Sequence, residues 1–196
     1  MQKWEYATVP LLVHATKQIL DNWGQDGWEL VTVIPGPNPE QLVAYLKAAV
    51  VSALARMAEL GIALPEVPPP AGAYVPAVRT GNLVYTSGQV ARELTGKVGA
   101  EVSEADAKDA ARGCALNALA AVDALAGLDS VVRVVKVVGF VASAPGFTGQ
   151  PGVINGASEL LGEVFGDAGA HARSAVGVAE LPLGVPVEVE LIVEVR

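Results

Sequence analysis

Val187-Glu188-Val189-Glu190-Leu191-Ile192-Val193-Glu194-Val195 closes the 196-residue chain with apolar residues at every odd position. A strand sends alternate side chains to opposite faces, so Val187, Val189, Leu191, Val193 and Val195 belong to a core, while Glu188, Glu190 and Glu194 face the other way. Taken alone, the glutamates suit a solvated face or the protection of a sheet edge. Working outward, Ala172 to Leu181 reads as a second strand, and its Arg173 is by itself no more than a surface charge. The helix before it carries Val153, Ala157, Leu160, Leu161 and Val164 at helical spacing, after a Gly- and Pro-rich loop from Pro145 to Gly152. Val131 to Val141 is nearly all β-branched, which predicts a strand covered on both faces. Ser103-Glu104-Ala105-Asp106 resembles a capping box opening a long Ala-rich helix that ends near Gly127. Ala111, Cys114, Ala115, Ala118, Val122 and Leu125 form its apolar stripe. Thr80-Gly81-Asn82 between Val75–Arg79 and Leu83–Ser87 predicts a hairpin, since Gly and Asn tolerate the positive φ of tight turns. The order β, β, α, β, α, β, β is that of an α+β layer, with two helices on one face of a mixed sheet.

Consecutive prolines within Pro65 to Pro70 cannot continue a helix or a central strand and divide the chain. Residues 1–48 read as a small βαββ domain, 49–70 as a helix and Pro-rich linker, and 71–196 as the main domain. In the first, Trp4–Leu12 is a strand, Val13–Trp23 a helix and Trp28–Ile34 a strand. Asn38-Pro39-Glu40 looks like a helix cap with Pro at the first helical position, yet Gln41 to Lys47 alternates as a third strand would, and the strand is preferred. A helix from about Ala49 to Leu60, stopped by Gly61, leads to the prolines. Trp4, Trp23 and Trp28 are expected to form the core of the small sheet. So small a sheet is expected to dock on the assembly or its neighbours.

The formal charge of −8 argues against nucleic acid as a partner. With 52% hydrophobic residues the chain is not disordered. Charged residues are 17%, against about 25% in an average soluble domain, so oligomerisation is expected to cover the excess apolar surface. The single Cys114 permits no intrachain disulfide, and His14 and His171 stand too far apart in sequence to suggest a metal cluster. Without a basic, apolar leader at Met1–Tyr6 or a run of 18 apolar residues, a cytoplasmic location without membrane association is expected.

Arg79-Thr80-Gly81-Asn82-Leu83-Val84-Tyr85-Thr86-Ser87-Gly88-Gln89, Ala172-Arg173-Ser174 and Leu181-Pro182 followed by Val187-Glu188-Val189-Glu190 together resemble the reactive-intermediate deaminase family, also called Rid or YjgF-type. The resemblance covers about residues 74–196. It implies a chorismate-mutase-like fold, a homotrimer with active-site clefts between subunits, and cofactor-independent hydrolysis of enamines or imines. Substrates such as 2-aminoacrylate or related 2-imino acids would yield 2-keto acids and ammonia. By this resemblance Arg173 holds the substrate carboxylate, a role for which a planar, permanently charged fork of donors is suited. Glu188 positions or activates the attacking water, and Tyr74, Ser87 and Asn155 are polar cleft residues. Ala175 stands where many members have Cys, and His171 replaces the usual proline of Pro-Ala-Arg. An alternative reading is a trimeric protein that binds small carboxylates without turnover. Chorismate-mutase and ribonuclease readings rank below both, because fold alone assigns no chemistry. The segments Lys3-Trp4-Glu5-Tyr6 and Gly27-Trp28-Glu29-Leu30-Val31 resemble a small uncharacterised bacterial domain.

Overall fold

The structure, a computed structural model, describes residues 4–38, 41–49, 52–67, 72–90 and 92–196. Lys3, the Pro39-Glu40 pair and the prolines 68–70 of the linker lie outside the described residues. Chain contacts divide the protein into Met1–Ser52 and Ala53–Arg196.

In the first unit, strand β1 (Trp4–Leu12), helix α1 (Thr16–Gln25) and strands β2 (Glu29–Pro35) and β3 (Gln41–Ala49) form a sheet in the order β1-β3-β2. Both strand pairs are antiparallel. Val9, Leu11, Ala44 and Leu46 are buried, with Ile19, Leu20, Trp23 and Trp28 packed against them. Trp23 and Trp28 meet edge to face, ring centroids 5.2 Å apart. Trp4 departs from expectation. It sits on the other face of β1 with 38% of its surface exposed, and the Lys47 ammonium lies 4.1 Å from its ring centroid. Alternation explains this, since Val9 and Leu11 take the inner face and every even residue of β1 turns outward.

The second unit opens with helix α2 (Ala53–Glu59), shorter than its expected span, whose Met57 enters the main core. Strands β4 (Ala77–Thr80), β5 (Leu83–Thr86) and β6 (Gln89–Val90) precede helix α3 (Glu104–Ala126) and strand β7 (Val131–Ala142). Helix α4 (Gln150–Phe165) then leads to β8 (Ala172–Val178) and β9 (Val187–Val195). The six-stranded sheet runs β4-β5-β9-β7-β8, with β6 also paired to β9. Strands β7 and β8 pair in parallel, and α4 makes the crossover that a parallel pair requires. Gly81 takes the positive φ of +56° at the β4–β5 turn. Ser103 caps α3, its hydroxyl accepting from the Asp106 backbone N–H at 3.1 Å and donating to the Asp106 carboxylate at 2.6 Å. The five odd residues of β9 are all buried beneath the helices. On α3, Leu125 falls outside the core, exposed where the stripe rotates off the sheet, and Ala126 packs instead.

Strand β7 corrects a second expectation. Val134, Val137 and Val141 are buried on the helix side, but Val132 and Val135 are 43% and 36% exposed. Within one chain, β7 is therefore covered on one face only. Its valine-rich composition serves a second face that the helices do not reach. The outermost strand β8 shares this exposure, with Val176 at 45%. Among the described residues no helix is long and apolar enough to cross a membrane.

Candidate active site in two halves

Strand register decides which predicted residues meet. Arg173 stands beside Val137, a buried residue of the helix side, and Glu188 stands beside Phe140. Val137 and Phe140 are three apart on β7, so Arg173 and Glu188 leave the sheet on opposite faces. The helix side is confirmed two residues on. Ala175 pairs with Gly139, where an added Cβ would lie 2.4 Å from Ile154 of α4.

On that side the half-buried Arg173 guanidinium uses Nη1 twice, donating to Asn155 Oδ1 at 2.8 Å and to Ser158 Oγ at 3.1 Å. Both acceptors are neutral and sit on α4, three residues apart and so on one helix face. No carboxylate pairs with Arg173 among the described residues, and its Nε–H and Nη2–H have no partner there. The side chain is held by one nitrogen, its charge uncompensated, with the edge that matches a carboxylate bidentately left over. Asn155, expected as a cleft residue, is thus a direct partner of the arginine. Ser158 was not foreseen. The available signal was its spacing of three from Asn155. His171 continues the cluster, Nε2 lying 3.0 Å from Ser158 Oγ and Nδ1 2.6 Å from the Gly169 carbonyl.

The second half lies where the chain passes from β5 to β6, which pair with successive stretches of β9. Ser87 ties this break to the preceding segment, its N–H donating to the Pro76 carbonyl at 2.8 Å and its hydroxyl to the Val75 carbonyl at 2.7 Å. The hydroxyl therefore holds the Tyr74-Val75-Pro76 segment, on which the Tyr74 side chain is about half exposed. Gly88 follows, and a Cβ there would lie 1.7 Å from Glu188 Oε1. The glycine is what lets the carboxyl lie against the backbone. Burial first, and then the like charge of Glu190, hold the Glu188 carboxyl above the usual carboxylate range. Burial does the same to Glu190. Neither forms an ion pair among the described residues.

No group of His, Cys, Asp and Glu able to hold a metal occurs among the described residues. An open cleft of about 410 Å³ is lined by Lys97, Glu101, Glu180 and Val185 among others, and includes none of the predicted site residues.

The family model described as Endoribonuclease L-PSP matches residues 65–195. The chain belongs to this family, the YjgF/Rid family. Protein TCP17 of Trypanosoma cruzi is 45% identical over 149 residues, 72% of this chain and 93% of that protein. A 2-iminobutanoate/2-iminopropanoate deaminase of Dermatophagoides farinae is 35% identical over 135 residues, 69% of this chain and 95% of that one. Among solved structures, Atu1372 of Agrobacterium tumefaciens, of unknown function, is 45% identical with a TM-score of 0.68, covering 74% of this chain and 94% of its own. A putative endoribonuclease of Shewanella oneidensis is 30% identical with a TM-score of 0.70, covering 74% and 99%. The mixed α+β fold, with its mixed sheet and with helices α3 and α4 inside the matched residues, agrees with that membership, and residues 1–64 lie outside the family match.

Proposed function

We propose that the protein hydrolyses 2-imino acids, and the enamines that tautomerise to them, to 2-keto acids and ammonia without a cofactor. The observation that carries this reading is the Arg173 fork, fixed through Nη1 and offering Nε–H and Nη2–H to a carboxylate. In the proposed reaction the substrate carboxylate binds that edge. Glu188 accepts a proton from water as the water oxygen bonds to the imine carbon. The Glu188 carboxyl returns that proton to the nitrogen to complete a neutral carbinolamine, whose hydroxyl proton then passes to the nitrogen as the carbon–nitrogen bond breaks, so that ammonia leaves and the carbonyl forms. The deaminase from Dermatophagoides farinae supports this substrate class.

The geometry also supports the subunit arrangement. Arg173 and Glu188 occupy opposite faces of one sheet, so a cleft containing both takes one from each of two protomers. We propose a homotrimer in which the Arg173–Asn155–Ser158 half of one chain faces the Tyr74–Ser87–Glu188 half of its neighbour. The exposed valines of β7 and β8 supply apolar surface for that contact. The charge of −8 argues against the ribonuclease activity in the family description.

The test is ammonia release from 2-iminopropanoate generated in place by an amino-acid oxidase. Acceleration over buffer is expected. A rate equal to buffer, with pyruvate still bound, would instead identify a carboxylate-binding protein without turnover, a reading that rests on the same fork.

The pH dependence has a definite sign. As pH falls through the raised value of Glu188, the carboxyl takes up its proton and ceases to act as a base. The acid limb of kcat is therefore expected above the ordinary carboxylate range. Glu190→Gln removes the like charge and should move that limb to lower pH, while Glu188→Gln should abolish it along with most of the activity. Stability runs the other way from an ion-paired carboxylate. A raised carboxyl in the folded state opposes folding progressively as pH rises from the unfolded range through the folded value. A limb and an activity that both survive in Glu188→Gln would remove Glu188 from the role of base.

A further inference from the structure

We infer that His171 is a positioning residue for Arg173, acting through Ser158. The inference rests on the carboxylate-binding reading of Arg173. Its observation is a chain of hydrogen bonds whose direction is fixed at one end. The Gly169 carbonyl can only accept, so the 2.6 Å contact requires His171 Nδ1 to carry the hydrogen. In the neutral ring Nε2 then has only a lone pair to offer. The Ser158 hydroxyl, 3.0 Å away, must donate to it. A hydroxyl has a single hydrogen, so Ser158 Oγ turns its lone pairs toward the Arg173 Nη1 hydrogen, 3.1 Å away. The sequence of donors therefore runs from arginine to serine to histidine to the main chain at Gly169.

This arrangement adds something that Asn155 alone lacks. One acceptor on Nη1 leaves the guanidinium plane free to swing about that bond. Two acceptors of Nη1, both on α4, restrain the plane and so aim the Nε–Nη2 edge. The second acceptor is dependable only if the serine hydrogen is drawn elsewhere, which is what His171 does. His171 follows the turn Gly166–Gly169 and immediately precedes β8, so the imidazole and the guanidinium hang two residues apart on one segment. The orienting group and the group oriented are thereby built into the same stretch of chain.

The test uses the full chain and pyruvate, the stable product analogue, titrated by calorimetry. Binding is compared in wild type, His171→Ala, Ser158→Ala and the double variant, with His171→Gln as the conservative replacement whose amide oxygen can accept in place of Nε2. Each alanine variant is expected to weaken pyruvate binding by about three- to tenfold, the worth of one hydrogen bond. The double variant should be no weaker than Ser158→Ala alone, because the two residues act in series. His171→Gln should recover most of the loss. The imidazole nitrogen resonances of the wild type should show the Nδ1–H tautomer and shift in Ser158→Ala. Wild-type affinity in His171→Ala, or additive losses in the double variant, would overturn the relay alone. Absence of pyruvate binding by the wild type would overturn the carboxylate seat itself, and the relay with it. Should His171→Ala fail to fold, Ser158→Ala and His171→Gln decide the matter, and the relay is overturned if both bind as wild type does.

Discussion

Arg173→Ala is expected to lower kcat/KM for a 2-imino acid by about 10²- to 10³-fold, the loss of two charge-assisted hydrogen bonds to one carboxylate. Pyruvate binding should fall in parallel. The half-buried guanidinium makes no ion pair among the described residues, so its removal strands no opposite charge. Asn155 and Ser158 lie near enough to solvent to be hydrated in its place, and thermal stability should change little. Arg173→Lys separates charge from shape. An ammonium restores the positive charge but presents no planar fork, so it is expected to recover about tenfold of the loss and no more. Measured kcat and KM on freshly generated imino acids check this. Full activity in Arg173→Ala would place the carboxylate elsewhere and end the reading given to the cluster.

How far the sequence carried can be seen at particular residues. The alternation from Val187 to Val195 located the last strand and its buried face, because a period of two has only two solutions and the valines select one. Ser103 and Asp106 announced the start of α3, since capping is a local event between neighbours. Pairwise placement across strands was not legible. That Arg173 and Glu188 point to opposite faces depends on the registers of β8 and β9 against β7, and no local pattern states a register. The β-branched run at Val131 to Val141 signalled two covered faces, yet the helices of this chain cover one. Trp4 shows the same limit on a smaller scale. Its aromatic character suggested a core, whereas its parity with Tyr6 and Thr8 put it outside. Arg173 and Glu188 stood out only through family resemblance, and Ser158 carried no motif at all. It became visible when α4 was set against β8.

Two substitutions on α4 should move stability in opposite directions, and the contrast tests how the arginine is held. At Gly156 an added Cβ would fall 1.9 Å from the Lys108 carbonyl oxygen and 3.2 Å from the Arg112 backbone nitrogen, both part of α3. Backbone of a packed helix cannot rotate aside as a side chain can, so Gly156→Ala must part the two helices. The expected cost is about 3 kcal/mol, at the upper end for overpacking, which lowers Tm on the order of 10 °C. At Gly162, on an exposed part of the same helix, an added Cβ meets nothing within 4 Å. There Gly162→Ala should stabilise by about 0.5–1 kcal/mol, through reduced freedom of the unfolded chain and better helix propensity. Gly156 lies between Asn155 and Ser158, the two acceptors of Arg173 Nη1. Lifting α4 from α3 therefore displaces both acceptors together, and Gly156→Ala should raise KM for the imino acid even at temperatures where the protein remains folded. Gly162→Ala should leave KM unchanged. If Gly156→Ala binds pyruvate as wild type does while losing stability, the close helix contact supports the core alone, and the aim of the guanidinium is set from the β8 side.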